Sequence, residues 1–160
     1  MHSSEEAAYV EFVDAGRATL HAYAWLLTAD AHAAEDLLQE TFVRVYVKWR
    51  RVASGQPLAY ARRVMSNLHT DRWRKTRRET LTDEVPDRAY GADDPEVVDL
   101  VRALQQLSPR ERECVVLRHY LDQSEKETAA TLGVSVGAVK SYTSKGLAAL
   151  RPLMQEERHV

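Results

Sequence analysis

Residues 59–78 read AYARRVMSNLHTDRWRKTRR, and no other stretch of the 160-residue chain combines so much charge with such clear helical order. At 100° per residue, Leu58, Ala61, Val64, Met65 and Leu68 fall on one side. Arg63, Asn67, Thr70, Arg74 and Arg77 form a stripe roughly opposite. One face packs and the other meets a partner. Trp73 lies at the edge of the polar stripe, where a large ring among arginines suits base stacking better than burial. The competing reading is a solvated helix face whose Trp caps a core edge, because charge runs by themselves usually mean solubility.

The remainder of the chain supplies the context. Apolar residues make up 44 % of it, enough for compact cores in one medium domain or two small ones. The net charge of −2 argues against a blanket nucleic-acid binder, so the distribution of charge matters more than the sum. Residues 1–40 carry eight acids and one base, Arg17, whereas residues 44–78 carry eleven bases and one acid, Asp71. Residues 79–100 return to eight acids against Arg88, and residues 101–160 mix nine bases with seven acids. The single Cys114 cannot form an internal disulfide and, beside Val115 and Leu117, reads as a buried structural thiol. With no signal peptide and no run of about 18 apolar residues, a cytoplasmic protein without a membrane span is expected.

Upstream, Tyr9, Phe12, Val13, Leu20, Tyr23, Ala24 and Leu27 recur at helical spacing from Glu5 to Leu27, with Ser3 or Ser4 as the expected cap. Asp30 is the expected N-cap of a second, antiparallel helix from about Ala31 to Lys48. That helix carries Glu35, Asp36, Gln39 and Glu40 in one half and Arg44, Lys48, Arg50 and Arg51 in the other, a split that fits two different partners. His32 and Glu35, with Glu40 nearby, lack the doubled Glu-x-x-His of carboxylate-bridged bundles, so no metal, cofactor or hydrolytic chemistry is expected. Val52 to Pro57, VASGQP, reads as a turn.

Downstream, residues 79–95 hold Pro86, Gly91, Asp93, Asp94 and Pro95 without helical period and read as a flexible acidic linker. Val97, Val98, Val101, Leu104 and Leu107 mark a new helix, and Ser108-Pro109 opens the next. Ser124 with Glu127 forms a capping box, Gly133 closes that short helix, and Ser135 caps a last one with Val139, Leu147 and Leu150 inward. This is a helix-turn-helix. Its second helix would offer Ser135, Ala138, Lys140, Ser141, Tyr142, Ser144 and Lys145 to a major groove. The expected fold class is therefore all-α, with two small helical domains, 1–78 and 96–160, joined by the linker.

Four motifs stand in one order: AEDLLQETF at 34–42, Arg63 with Asn67-Leu68 and Asp71, LSPRER at 107–112, and VGAVKS at 136–141. Together they resemble bacterial RNA polymerase sigma factors of the extracytoplasmic-function (ECF) group, over nearly the whole chain. The segment from Arg63 to Arg74 looks most like the sigma-E-like subgroup of actinobacteria. The resemblance implies that 1–78 is sigma region 2, that 96–160 is region 4, and that no domain lies between them.

It further implies core polymerase, through its β′ clamp helices and β flap, and promoter DNA as partners. Asp36, Gln39 and Glu40 match the motif that docks on the clamp helices. Arg62, Arg63, Asn67, Thr70, Trp73, Arg74 and Arg77 fall in the segment that captures and melts the −10 element, and the 52–57 loop matches one that takes up a flipped base. Ser135, Ala138, Lys140, Ser141, Tyr142, Ser144 and Lys145 lie where the family reads the −35 duplex. Tyr142 and Gly146 depart from the residues many members carry there, which bears on the −35 preference. With few residues after Met154, regulation is expected from a separate anti-sigma protein, from expression or from the linker. The alternative from another class is a stand-alone helix-turn-helix regulator that dimerises through its N-terminal helices.

Overall fold

A computed structural model of the chain describes residues 2–79 and 94–158, and its regular elements are helices: α1 (Ser3–Thr28), α2 (Ala31–Val47), α3 (Trp49–Val52), α4 (Pro57–Glu79), α5 (Pro95–Leu104), α6 (Pro109–His119), α7 (Glu125–Leu132) and α8 (Val136–Arg158). Among the described residues there is no strand. The linker expected at 79–95 falls largely outside the described residues; its first residue belongs to α4 and its last to α5.

The helix ends follow local chemistry. Asp30 caps α2, its carboxylate accepting from the His32 and Ala33 amides at 2.9 and 3.0 Å. The cap of α1 is His2, not Ser3 or Ser4, which lie in the first turn; the Glu5 carboxylate reaches back to accept from the His2 amide at 3.3 Å. Ser108 and Ser124 each complete a capping box, with Glu111 and Glu127. Gly133 ends α7 at φ 68°, a left-handed conformation that favours glycine, and Ser135 opens α8 by accepting from the Ala138 amide at 3.0 Å.

The first four helices share one apolar centre. α1 and α2 lie antiparallel, so that the Tyr9 hydroxyl near the start of one donates to the Phe42 carbonyl near the end of the other at 2.7 Å. Tyr9, Phe12, Phe42 and Trp49 pack edge to face or tilted around this contact, with ring centroids 5.4 to 6.4 Å apart. Helix α4 lays Ala61, Met65 and Leu68 against that pair. The four C-terminal helices close over Val101, Leu104, Val115, Val116, Leu117, Val139 and Leu150. Cys114 is part of this core, and burial pushes its thiol up to about 12.

The two halves are packed together in one apolar cluster, and their junction also holds a buried polar network. Helix α4 has a second buried face, Ser66, His69 and Thr70, at helical spacing beside the apolar one. Ser66 shares a 2.6 Å hydrogen bond with the Tyr23 hydroxyl. The Thr70 hydroxyl lies 3.0 Å from both oxygens of Glu113 on α6, a carboxylate with no exposure at all. Next to it, Arg112 donates to the carbonyls of Leu104 and Leu107 in its own half. It also donates across the junction to the Leu27 carbonyl at 2.8 Å and to His69 Nε2 at 3.0 Å. Helix α1 has no basic residue in its last turn. Arg112 brings a positive charge to that negative helix end from the other half of the chain.

His69 takes the neutral form in this network. Its Nε2 accepts from Arg112, so Nδ1 carries the proton and faces Glu113 at 3.5 Å. Burial holds its pKa below the ordinary 6.5; Glu113 opposes that shift and the Arg112 charge adds to it. As pH falls through 6.5 the unfolded chain takes up a proton that the folded chain resists, so stability is full above that value and declines below it. The urea midpoint should therefore fall between about pH 7.5 and 5.5, and His69→Gln should flatten that fall. An equal fall in the variant would contradict the assignment.

Candidate nucleic-acid interface

On α4, Arg63, Asn67, Arg74 and Arg77 are exposed, as the stripe requires. Trp73 is half-exposed at the stripe's edge, with the Arg77 guanidinium over its ring at 4.9 Å from the centroid. Thr70 does not belong to this surface: it is 4 % exposed and spent on Glu113. Arg62 is half-buried, with Nε shut away from solvent and from any hydrogen-bond partner. Burial lowers its pKa, while Tyr23 and Glu127 act to raise it. Gly133 on α7 lies beside the Arg63 guanidinium, at 3.8 Å from where a side chain would begin. Arg62 and Arg63 line a cleft of about 480 Å³ between the halves, with Pro57 and Tyr60 on one wall and Glu127 and Ala130 on the other.

Helix α2 buries Ala34, Leu37, Leu38, Thr41, Phe42 and Val45 and leaves Asp36 and Gln39 exposed on its outer face. Gln39 donates to Glu35 at 3.3 Å. Glu40 is engaged within the chain, bonded to Arg44 at 3.1 Å and to Arg72 of α4. Burial acts to raise its pKa, but the two guanidinium groups hold it below the ordinary carboxylate value. Val43 and Val47, 60 % and 71 % exposed, continue the outer face at seven and eleven residues after Asp36. The sequence reading missed these valines, although their spacing from Asp36 was available to find them.

Of the residues assigned to the duplex, Ser135, Lys140, Ser141, Ser144 and Lys145 are exposed along the first half of α8. Ser135 spends its hydroxyl on capping, and Ala138 is half-buried. Tyr142 packs its ring against the core, which leaves its phenol edge as the part able to meet DNA. Lys140 Nζ stands 3.7 Å from Glu125, which also faces Arg118 at 3.8 Å. The 53–56 turn between α3 and α4 is exposed throughout. Among the described residues there is no cluster of His, Cys, Asp or Glu fit to hold a metal ion, and no helix is long and apolar enough to cross a membrane.

Comparison with known proteins gives the family. Residues 12–79 match the family model for Sigma-70 region 2, and residues 98–150 match that for Sigma-70, region 4. The RNA polymerase sigma-E factor of Streptomyces avermitilis is 38 % identical over 156 residues, covering 94 % of this chain and 87 % of that protein. The sigma-E factor of Streptomyces coelicolor is 36 % identical over 152 residues, covering 92 % and 86 %. Among solved structures, the sigma factor RpoE in its co-crystal with the anti-sigma factor NepR from Bartonella quintana shares the fold. The TM-score is 0.75 at 24 % identity, with 92 % of this chain and 96 % of that one covered.

Gly146 has a packing reason. A Cβ there would stand 2.6 Å from Val115 Cγ2 and 3.3 Å from the Glu111 carbonyl, so α6 and α8 approach closely because glycine leaves room. Gly146→Ala gains about 1 kcal/mol of helix propensity but forces a stiff, buried β-branched side chain aside, an overpacking cost of about 1–3 kcal/mol. A lower melting temperature is expected, recovered by adding Val115→Ala. A variant at least as stable as the parent would refute the tight contact.

Proposed function

The chain belongs to the sigma-70 family of RNA polymerase sigma factors, and on that premise we propose that it docks on core polymerase through α2, captures the −10 element along α4 and reads the −35 duplex with α8. As a sigma factor it directs promoter-specific transcription initiation, and its kinship lies with the sigma-E and ECF members. The observation that carries the finer assignment is the α4 surface, where exposed Arg63, Asn67, Arg74 and Arg77 surround a half-exposed Trp73. Arginines hold phosphates, the amide of Asn67 hydrogen-bonds a base edge, and Trp73 stacks.

Opening DNA by binding alone is energetically feasible. Unstacking costs a few kcal/mol per step, and each base stacked on an aromatic ring returns about 1–3 kcal/mol. Phosphate contacts add to this. No nucleophile or acid–base pair is required of the chain; the polymerase supplies the nucleotide chemistry. Its work would lie in the cytoplasm, where the polymerase acts.

On α2, Asp36 and Gln39 with the exposed Val43 and Val47 form an acidic-apolar strip suited to a helical coiled surface such as the β′ clamp helices. Glu40 would act there while bridged to Arg72, so that the docking helix and the DNA helix are tied to each other. On α8, Lys140, Ser141, Ser144 and Lys145 would meet phosphates and base edges. A stand-alone helix-turn-helix regulator would leave both the α2 strip and the α4 stripe without a task.

Trp73→Ala or Asn67→Ala should leave core binding intact while lowering open-complex formation, read as lost permanganate reactivity of thymines at the −10 element. Reactivity equal to the parent's would remove these residues from melting.

A further inference from the structure

Helix α7 begins with a carboxylate beside the surface assigned to the duplex. Glu125, its first residue, turns one oxygen to each of two cations: Oε1 stands 3.8 Å from the Arg118 guanidinium on α6, and Oε2 stands 3.7 Å from Lys140 Nζ on α8. The three side chains line a cleft of about 360 Å³ together with Arg151 and with Ser144, one turn past Lys140. Glu125 is the single acid among the described residues of that lining. Its place is fixed from both sides. The Arg118 guanidinium is aimed by its donation to the Gln123 carbonyl at 2.7 Å, and a carboxylate in the first turn of a helix is favoured by the helix dipole.

A helix start beside two cations attracts the phosphates of a duplex, and Glu125 sets a negative charge at that point. Both of its ion-pair distances exceed hydrogen-bond range, and the three side chains are 29 to 65 % exposed. Pairs so open to solvent are weak. A phosphate can displace the carboxylate, but it does so against a like charge.

We propose that Glu125 is a specificity-determining residue of the duplex-reading half, competing with phosphate for Arg118 and Lys140 and so weakening attachment to DNA of any sequence. The inference rests on the assignment of α8 to the −35 duplex. On unmatched DNA, attraction to phosphate supplies essentially all of the binding, and Glu125 opposes it at both cations. On a matched site Lys140 serves a guanine edge, while Ser141 and Lys145 add contacts that unmatched DNA does not return, so the competition with phosphate counts for less. The net charge of −2 works in the same direction: the chain is not built for indiscriminate attachment.

The test is fluorescence anisotropy of the full chain on a random-sequence duplex across a salt series. Glu125→Gln should bind about tenfold tighter at about 50 mM salt, with the slope of log K against log salt steeper by about one to two units, because two cations are freed for phosphate. Glu96→Gln, which removes the same charge from an exposed position on α5 outside the cleft, should bind as the parent does. In a Lys140→Ala background the gain from Glu125→Gln should shrink to about threefold, since one of the two cations is gone. In run-off transcription with core polymerase, about tenfold less non-promoter duplex should halve the transcripts of Glu125→Gln.

Affinity and slope equal to the parent's in Glu125→Gln, equal gains in Glu125→Gln and Glu96→Gln, or weaker binding by Glu125→Gln would each overturn the competition. A Lys140→Ala chain that binds duplex as the parent does would instead remove α8 from the DNA and overturn the assignment beneath it. Circular dichroism checks that every variant keeps the parent's helicity; if Glu125→Gln does not, Glu125→Ala, which removes the same charge, decides.

Discussion

Arg112 is 2 % exposed, and a charge so placed is tolerable only if nearly every donor is met. It is met by carbonyls of Leu104, Gln105, Leu107 and Leu27 and by His69 Nε2. The carbonyls of Leu104, Gln105 and Leu107 come from the end of α5 and the turn that follows. The remaining acceptors come from the end of α1 and from α4. One side chain thus closes the α5–α6 turn, caps α1 and orients the histidine beside Glu113. What the structure offers DNA, and what it hides, follows from that set of bonds: α4 is pinned along one polar face, leaving its arginine stripe outward and Thr70 inward.

Electrostatics separates the remaining surfaces. The acids of α2 face outward at Asp36 while Glu40 turns to Arg44 and Arg72, joining an acidic helix to a basic one. The basic block of α4 carries Trp73 at its edge, and a second, smaller group of lysines and serines lies on α8, in the other half of the chain. The proposed polymerase-docking strip, strand-holding stripe and duplex-reading helix are distinct chemistries on separate helices, with the Sigma-70 region 2 match at 12–79 preceding the region 4 match at 98–150.

Much of this was legible in the residues because its causes are local. Asp30, Ser108, Ser124, Gly133 and Ser135 mark helix ends through bonds to residues two to four positions away, and the apolar side of α4 follows from its period. The misplaced parts depend on distant partners. Ser66, His69 and Thr70 look like a solvated face to any reading of hydropathy, because the Glu113 that buries Thr70 lies 43 residues further on. An arginine in an amphipathic helix reads as exposed, so Arg112 was quoted as part of a motif and given no role. Gly146 read as a change in DNA preference, whereas the close approach of α6 and α8 explains it.

The central claim is that the chain confers promoter choice on core polymerase, and run-off transcription from a genomic fragment library with purified core tests it most directly. With the chain present, discrete start sites sharing a paired upstream motif should appear, and they should be absent with core or chain by itself. The same transcripts with and without the chain, or tight binding of the upstream duplex by the chain with no polymerase present, would contradict it.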